Sequence, residues 1–193
     1  MHGQPQPKDL ALPDDLRQAV GFHGHLCPGL VIGYLASRAA LERLSAGRSE
    51  DEELVAIVEN DACGVDAVQW LTGCTFGKGN LVFRDFGKQV FTFALRPSGR
   101  AVRVGYRSEP APENERDPDA SDEVRRRRQV AFMLERGAAL LDVRECVIDL
   151  PDRARIRESA ACDACGERVM ETRLREVSGR RLCIPCAEAA PER

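Results

Sequence analysis

The sequence predicts a main domain of mixed helices and strands, followed by a small zinc-binding domain. The chain has 193 residues, enough for one core of ordinary size and an appendage. Apolar residues recur at helical spacing in some segments and alternate as in strands in others. Two Cys-x2-Cys pairs lie near the C-terminus. We therefore expect a core domain at 1–150, a linker at 151–159 and a zinc finger at 160–193.

Composition narrows the class of protein. The chain is 43% apolar and carries a net charge of -3, which is typical of a globular protein and gives no overall bias toward nucleic acid. No apolar stretch approaches the roughly 20 residues of a membrane span, and the N-terminus lacks the pattern of a signal peptide. We expect a cytoplasmic protein with no membrane partner, in which eight cysteines indicate metal or thiol chemistry.

The stretch "FHGHLCPGL", residues 22–30, leads into the first predicted helix. Apolar residues continue at helical spacing to Leu44, and Pro28 suits the first helical position because it has no N–H to leave unpaired. Cys27 then lies at or next to the N-cap. The helix dipole there favours an anion, so we expect a lowered thiol pKa.

Two histidines precede Cys27 at alternate positions. If "HGHLC" is extended, the side chains of His23, His25 and Cys27 point to one side and offer three metal ligands on one face. The alternative is that both histidines bond to the backbone at a helix junction and that Cys27 packs in the core.

A second group of candidate residues surrounds Cys63. "ELVAIVE" predicts a buried strand, and "GVDAVQWLTG" predicts a short helix capped by Gly73. Cys63 lies between them, at another helix N-terminus where the thiol pKa should be lowered. Asp61 and Asp66 flank it, either as helix caps or as site residues.

The loop "GCTFGKGN" follows this helix and contains Cys74 and Lys78. Its glycine spacing does not fit a P-loop, but a generic anion-binding loop with Lys78 is consistent with it. A strand, a turn at "DFGK" and a second strand follow. Further along, residues 108–119 predict an exposed loop, Asp122 and Glu123 open a helix that ends near Gly137, and Cys146 lies in a strand as a buried packing residue.

The C-terminal cysteines have the spacing of a four-cysteine zinc site. Each pair supplies two thiolates from one tight turn, and the intervening segment predicts a hairpin that turns at Ser178 and Gly179. Four thiolates leave no open position on the metal, so this zinc is structural. The predicted ligands are Cys162, Cys165, Cys183 and Cys186. A treble-clef or zinc-ribbon finger would fit them.

The blocks "FHGHLCPGL", "CGVDAVQWLTGCTFGKGNL" and "DFGKQVFTF", in this order, resemble the FmdE family, named for a protein encoded beside the subunits of molybdenum formylmethanofuran dehydrogenase. The resemblance covers roughly residues 13–150. It implies an α+β core with a mixed sheet flanked by helices, often described as thioredoxin-like, and assembly into a homodimer. It implies no general reaction, so whether the chain is an enzyme stays open.

Two hypotheses about function follow. The first is an FmdE-like thiol protein that binds a metal or a small ligand and is accessory to molybdenum or tungsten redox enzymes, whose subunits are its expected partners. The second is a zinc-finger regulator or adaptor that binds nucleic acid or protein, with the core as a dimerisation scaffold. The candidate catalytic residues are Cys27, Cys63 and Lys78, and the candidate ligand-binding residues are His23, His25, Cys74 and Asp61. Candidates for a second metal site, with the metal unassigned, are His25, Cys27 and Cys63.

Overall fold

The computed structural model describes residues 10–96, 98–109 and 119–190. It divides into two compact units, at 1–153 and 154–193. Within the described residues, none of the helices has the length and apolar character needed to cross a membrane. Most of the loop predicted at 108–119 lies outside the described residues.

The first unit is an α+β domain, as the sequence predicts. Its helices are α1 (Asp14–His23), α2 (Pro28–Leu44), α3 (Gly64–Thr72) and α4 (Asp122–Arg136), followed by a short 3-10 turn (Gly137–Leu140). Its strands are β1 (Leu54–Val58), β2 (Leu81–Phe83), β3 (Val90–Leu95), β4 (Ala101–Tyr106) and β5 (Leu141–Cys146). The finer likeness to thioredoxin stays a prediction.

The five strands form one mixed sheet in the order β2-β1-β3-β4-β5. β1 and β2 are parallel, with Ala56 opposite Leu81, and α3 connects them. All other neighbours are antiparallel. Although "DFGK" separates β2 from β3 in the sequence, β1 lies between them in the sheet. β1, α3 and β2 therefore form a β-α-β unit, the part of the fold that carries the candidate site.

The main core lies between the sheet and the helices α2 and α4. Phe91 and Phe93 of β3 are completely buried there, together with Val31 and Met133 from the two helices. A second apolar cluster, containing Leu16, joins α1 to α2 and α3. These two clusters fix the relative positions of the three helices that supply the candidate ligands.

The helix predictions are confirmed for α2, α3 and α4, including the cap of α3 at Gly73, whose φ is 71°. The extended conformation predicted for "HGHLC" is wrong. α1 continues to His23, and Gly24 then reverses the chain in the left-handed region, at φ 98°. Cys146 is half-buried rather than buried, at the end of the edge strand β5.

The second unit is built from two small hairpins and one short helix. β6 (Ser159–Ala161) pairs with β7 (Arg168–Met170), and β8 (Arg175–Val177) pairs with β9 (Arg180–Leu182). A 3-10 turn (Glu171–Arg173) interrupts the segment predicted as one strand, and α5 (Ile184–Glu188) follows β9. The turn at Ser178 and Gly179 is confirmed, because both residues have positive φ.

Candidate metal centres

The four cysteines of the second unit converge on one point. Their sulfur atoms all lie within 4.8 Å of one another, and the Sγ atoms of Cys165 and Cys183 are 3.9 Å apart. Cys162 and Cys183 are buried in the small apolar core of this unit. A set of four thiolates with this proximity fits a tetrahedral zinc site with no open position. The predicted zinc ligands are therefore brought together.

Backbone amides prepare this site for a cation. N–H groups of Cys165, Cys183 and Ala164 lower the pKa of the Cys162 thiol to about 6. The pKa of Cys186 is raised to about 12, because its sulfur is hydrogen-bonded to Cys183 and Cys165. One thiolate forms readily, but further ones repel each other until a cation neutralises them.

A second cluster lies in the first unit, where His23, His25, Cys27 and Cys63 bring two nitrogen and two sulfur donors within 4.8 Å of one another. Nε2 of His23 is 3.9 Å from Sγ of Cys27, and the two imidazole ring centres are 4.5 Å apart. Two imidazoles and two thiolates are a donor set that suits zinc and other borderline or soft divalent metals.

Helix ends place the first three of these residues. His23 is the last residue of α1, and the turn at Gly24 directs His25 back beside it. Cys27 is the N-cap of α2, where its Sγ accepts a hydrogen bond of 3.4 Å from the Leu30 N–H, and Pro28 occupies the first turn. The predicted N-cap position of Cys27 is confirmed.

Cys63 reaches the cluster because α2 and α3 pack with their backbones in contact. A Cβ atom on Gly33 would overlap the carbonyl group of Gly64, and a Cβ on Gly64 would lie 2.9 Å from the carbonyl oxygen of Gly29. Side chains larger than hydrogen at these positions would force the helices apart. The glycines therefore set the separation between Cys27 and Cys63.

The pKa of Cys63 is raised rather than lowered as the sequence predicts. Burial raises it first, and hydrogen bonding and repulsion from Cys27 add to this effect. Cys63 has helical backbone angles, and its side chain makes no capping hydrogen bond. Its sulfur therefore lacks the amide contacts that would stabilise a thiolate, and the nearby thiol opposes ionisation.

Asp66 is the site residue that sequence reasoning missed as a metal-site residue. Nδ1 of His23 donates a 2.6 Å hydrogen bond to Asp66 Oδ2, and the His23 side chain is only 10% exposed. This bond leaves Nε2, the nitrogen facing Cys27, with its lone pair available for a metal. A carboxylate in this position is the usual orienting partner of a metal-binding histidine.

The signal for Asp66 was its spacing. It lies three residues after Cys63, and that separation in a helix places both side chains on one face. No local pattern pairs it with His23, which is 43 residues away.

Two predicted site residues do not join the cluster. Cys74 is completely buried in the main core, and its Sγ donates to the Leu54 carbonyl oxygen at 3.3 Å. Burial raises its pKa to about 11, so it stays a protonated packing residue. Lys78 is also misplaced as a catalytic or anion-binding group. Its Nζ donates to the carbonyl oxygens of residues 49, 50 and 51, and so ties two loops together.

Asp61, the remaining candidate, lines a cavity beside the cluster. The cavity has a volume of about 440 Å³ and lies beyond the carboxyl ends of the parallel strands β1 and β2. His23, Cys63 and Asp66 form the side that it shares with the cluster, and Phe76 and Phe83 contribute apolar walls. The first unit thus combines a four-donor cluster with a ligand-sized pocket.

Comparison with known proteins identifies the family. Residues 22–147, more than half of the chain, match a family model described as FmdE, molybdenum formylmethanofuran dehydrogenase operon. The chain belongs to the FmdE family. The FmdE match contains all four residues of the cluster in the first unit, together with Asp66. Residues 155–192 match the prokaryotic dksA/traR C4-type zinc finger, so the predicted finger is confirmed.

Two individual proteins resemble this FmdE chain. A probable S-adenosyl-L-methionine-binding protein from Archaeoglobus fulgidus is 33% identical over 198 residues. The match covers 89% of this chain but 52% of the relative, so the chain spans about half the length of that protein. The crystal structure of a tungsten formylmethanofuran dehydrogenase FmdE-like protein from Syntrophus aciditrophicus has a TM-score of 0.64, with 24% identity and 92% of each chain covered. At this identity the likeness shows a shared fold.

Proposed function

We propose that this FmdE-family chain is a metal-binding accessory protein of a molybdenum or tungsten redox enzyme system. It holds a structural zinc in its finger and a second divalent metal in the first unit. The family description and the Syntrophus relative support the enzyme system, because both names refer to formylmethanofuran dehydrogenase. The thiols of Cys27 and Cys63 act as metal ligands in this proposal.

The observation that carries the second metal is the arrangement of His23 between Asp66 and Cys27. The 2.6 Å bond to Asp66 fixes the imidazole, and the opposite nitrogen faces a cluster of donors from three segments of the chain. Packing within a core does not require four such donors within 4.8 Å of one another. A bound metal would supply Lewis acidity at the edge of the neighbouring cavity.

Metal content tests this proposal directly. Freshly purified protein should contain two metals per chain by elemental analysis. Cys27→Ser and Cys63→Ser should each reduce the content to one, since a site with three donors binds less tightly. Cys146→Ser is the matched control, because Cys146 lies outside both clusters and should keep both metals. A content of one metal in the wild-type protein, unchanged by Cys27→Ser, would refute the second centre.

The partners are also part of the proposal. We expect a homodimer, measured by light scattering after size exclusion, and binding to a subunit of the molybdenum or tungsten enzyme, measured by co-purification from the native host. A monomer at all concentrations would refute the first expectation. The adaptor hypothesis predicts instead that the finger binds DNA or RNA with an affinity that falls steeply as salt rises.

A second candidate function is binding of a small organic ligand beside the metal. The cavity of about 440 Å³ is the specific observation that favours it, because pockets for small molecules have this size. The relative from Archaeoglobus fulgidus is named for binding S-adenosyl-L-methionine. Equilibrium dialysis with that compound tests whether this chain does the same, and no retention at millimolar ligand would count against it.

A further inference from the structure

We propose that the cavity beside the metal cluster selects its ligand by charge and accepts organic cations rather than oxyanions. The inference rests on the second candidate function and adds to it a class of ligand and the residues that recognise it. It also excludes molybdate and tungstate as cargo of this pocket, although the family is named for a molybdenum enzyme.

The charges around the cavity are negative. Asp61 is exposed at its wall and forms no ion pair with any residue that the structure describes. Asp66 lies on the same wall, with its other side bonded to His23. A divalent metal held by two thiolates and two neutral imidazoles adds no net charge, so the two carboxylates dominate the local field with or without the metal.

Basic side chains do not balance these carboxylates. Among the described residues that line the cavity, none is lysine or arginine. Lys78, in the neighbouring loop, directs its Nζ to three backbone carbonyl oxygens, and Lys88 lies 5.9 Å from the centre of the Phe86 ring. An oxyanion would have to enter a negative pocket without a cationic partner, which is unfavourable.

Aromatic side chains complete the recognition surface. Phe76 is 76% exposed and Phe83 is 44% exposed, although each belongs to a residue type that is usually buried. Both line the cavity. Aromatic faces combined with carboxylates attract a quaternary ammonium or sulfonium centre, because the ring quadrupole and the negative charge act in the same direction. The apolar rings also accommodate the body of such a ligand.

Binding can be measured with three probes that differ in charge. Choline carries a quaternary ammonium group, 3,3-dimethylbutan-1-ol is its neutral isostere, and molybdate is an oxyanion. Titration of each into 15N-labelled full-length protein at pH 8, followed by NMR, reports both affinity and location. We expect choline to shift the amide signals of residues 61–66 and 76, with binding that weakens as salt rises. The neutral isostere should bind more weakly, and molybdate should not shift these signals.

Variants with matched controls assign the recognition to individual residues. Asp61→Asn and Phe76→Ala should each weaken choline binding by about 2- to 5-fold. Asp85→Asn and Phe86→Ala should leave it unchanged, because both controls lie on the exposed segment after β2 and neither lines the cavity. All four positions are exposed, so the folded core should survive each change.

The outcomes separate this inference from the metal proposal. Equal binding of choline and its neutral isostere, or shifts of these amides by molybdate, would overturn selection by positive charge. Absence of binding by all three probes would also overturn it, whatever the metal content. If the metal assay fails but choline still binds at Asp61 and Phe76, the inference stands while the metal centre falls.

Discussion

Replacement of Gly33 by alanine tests how the fold positions the site in the first unit. A Cβ at this position would overlap the Gly64 carbonyl group, which is backbone and cannot rotate away. The backbones of α2 and α3 would have to separate by roughly 1 Å, and overpacking of this kind costs about 1 to 3 kcal/mol. We expect the upper end of this range, because two backbones rather than flexible side chains must move.

Trp70 offers a local signal for this measurement. It is the only tryptophan in the sequence and lies in α3, so its fluorescence reports unfolding of the first unit without interference from the finger. At a urea m-value of about 1 to 3 kcal/mol/M, a loss of about 3 kcal/mol moves the midpoint down by about 1 to 3 M. Metal bound at the first-unit cluster should fall as well, since Cys27 and Cys63 lie on opposite sides of the separated contact.

Gly21→Ala is the matched control for this substitution. Gly21 is also helical, but its Cβ would meet nothing within 4 Å. The higher helix propensity of alanine should raise the midpoint, by up to about 1 kcal/mol in free energy of unfolding. Equal midpoints for Gly33→Ala and the wild-type protein would refute the close helix contact and the explanation of the cluster that depends on it.

Three further predictions concern the two metal centres and the core. Asp66→Asn should weaken metal binding at the first-unit cluster by about 10- to 100-fold in competition with a chelator, because His23 loses its charged orienting partner, with folding retained by circular dichroism. Replacing Cys162 and Cys165 by serine should release zinc and unfold the finger while the first unit keeps its urea midpoint, and full zinc retention would contradict the assigned ligands. Burial raises the pKa of Cys74 to about 11, so the native state keeps a proton that the unfolded state loses above about pH 9. The free energy of unfolding should therefore fall by about 3 kcal/mol between pH 9 and 11 in the wild-type protein, and Cys74→Ala should lack this part of the decline.

The parts of the fold that the sequence predicts are those determined by local patterns. The helix that starts at Pro28 and the cap at Gly73 are confirmed, because their determinants lie within a few residues. The finger is similar, since a fixed spacing of cysteines specifies a site with little help from the rest of the chain. Non-local features escaped. Nothing near β2 indicates that β1 inserts between β2 and β3.

The candidate site was predicted in part for the same reason. His23, His25 and Cys27 are neighbours in sequence, and they converge although the predicted extended backbone is wrong. Cys74 shares the loop-side position of Cys63 in sequence, but its side chain faces the core. Burial, which single-sequence patterns specify poorly at loop positions, decides between a ligand and a packing residue.

The two metal centres differ in how much the fold depends on them, and this difference bears on function. The finger has a core of a few residues, so zinc supplies most of its stability. The first unit has an extensive apolar core between sheet and helices, which includes Phe91 and Phe93 and does not require a metal to form. Its fold nevertheless holds His23, His25, Cys27 and Cys63 together at the edge of a cavity. A centre that the fold supports, rather than one that supports the fold, is available for chemistry or ligand binding.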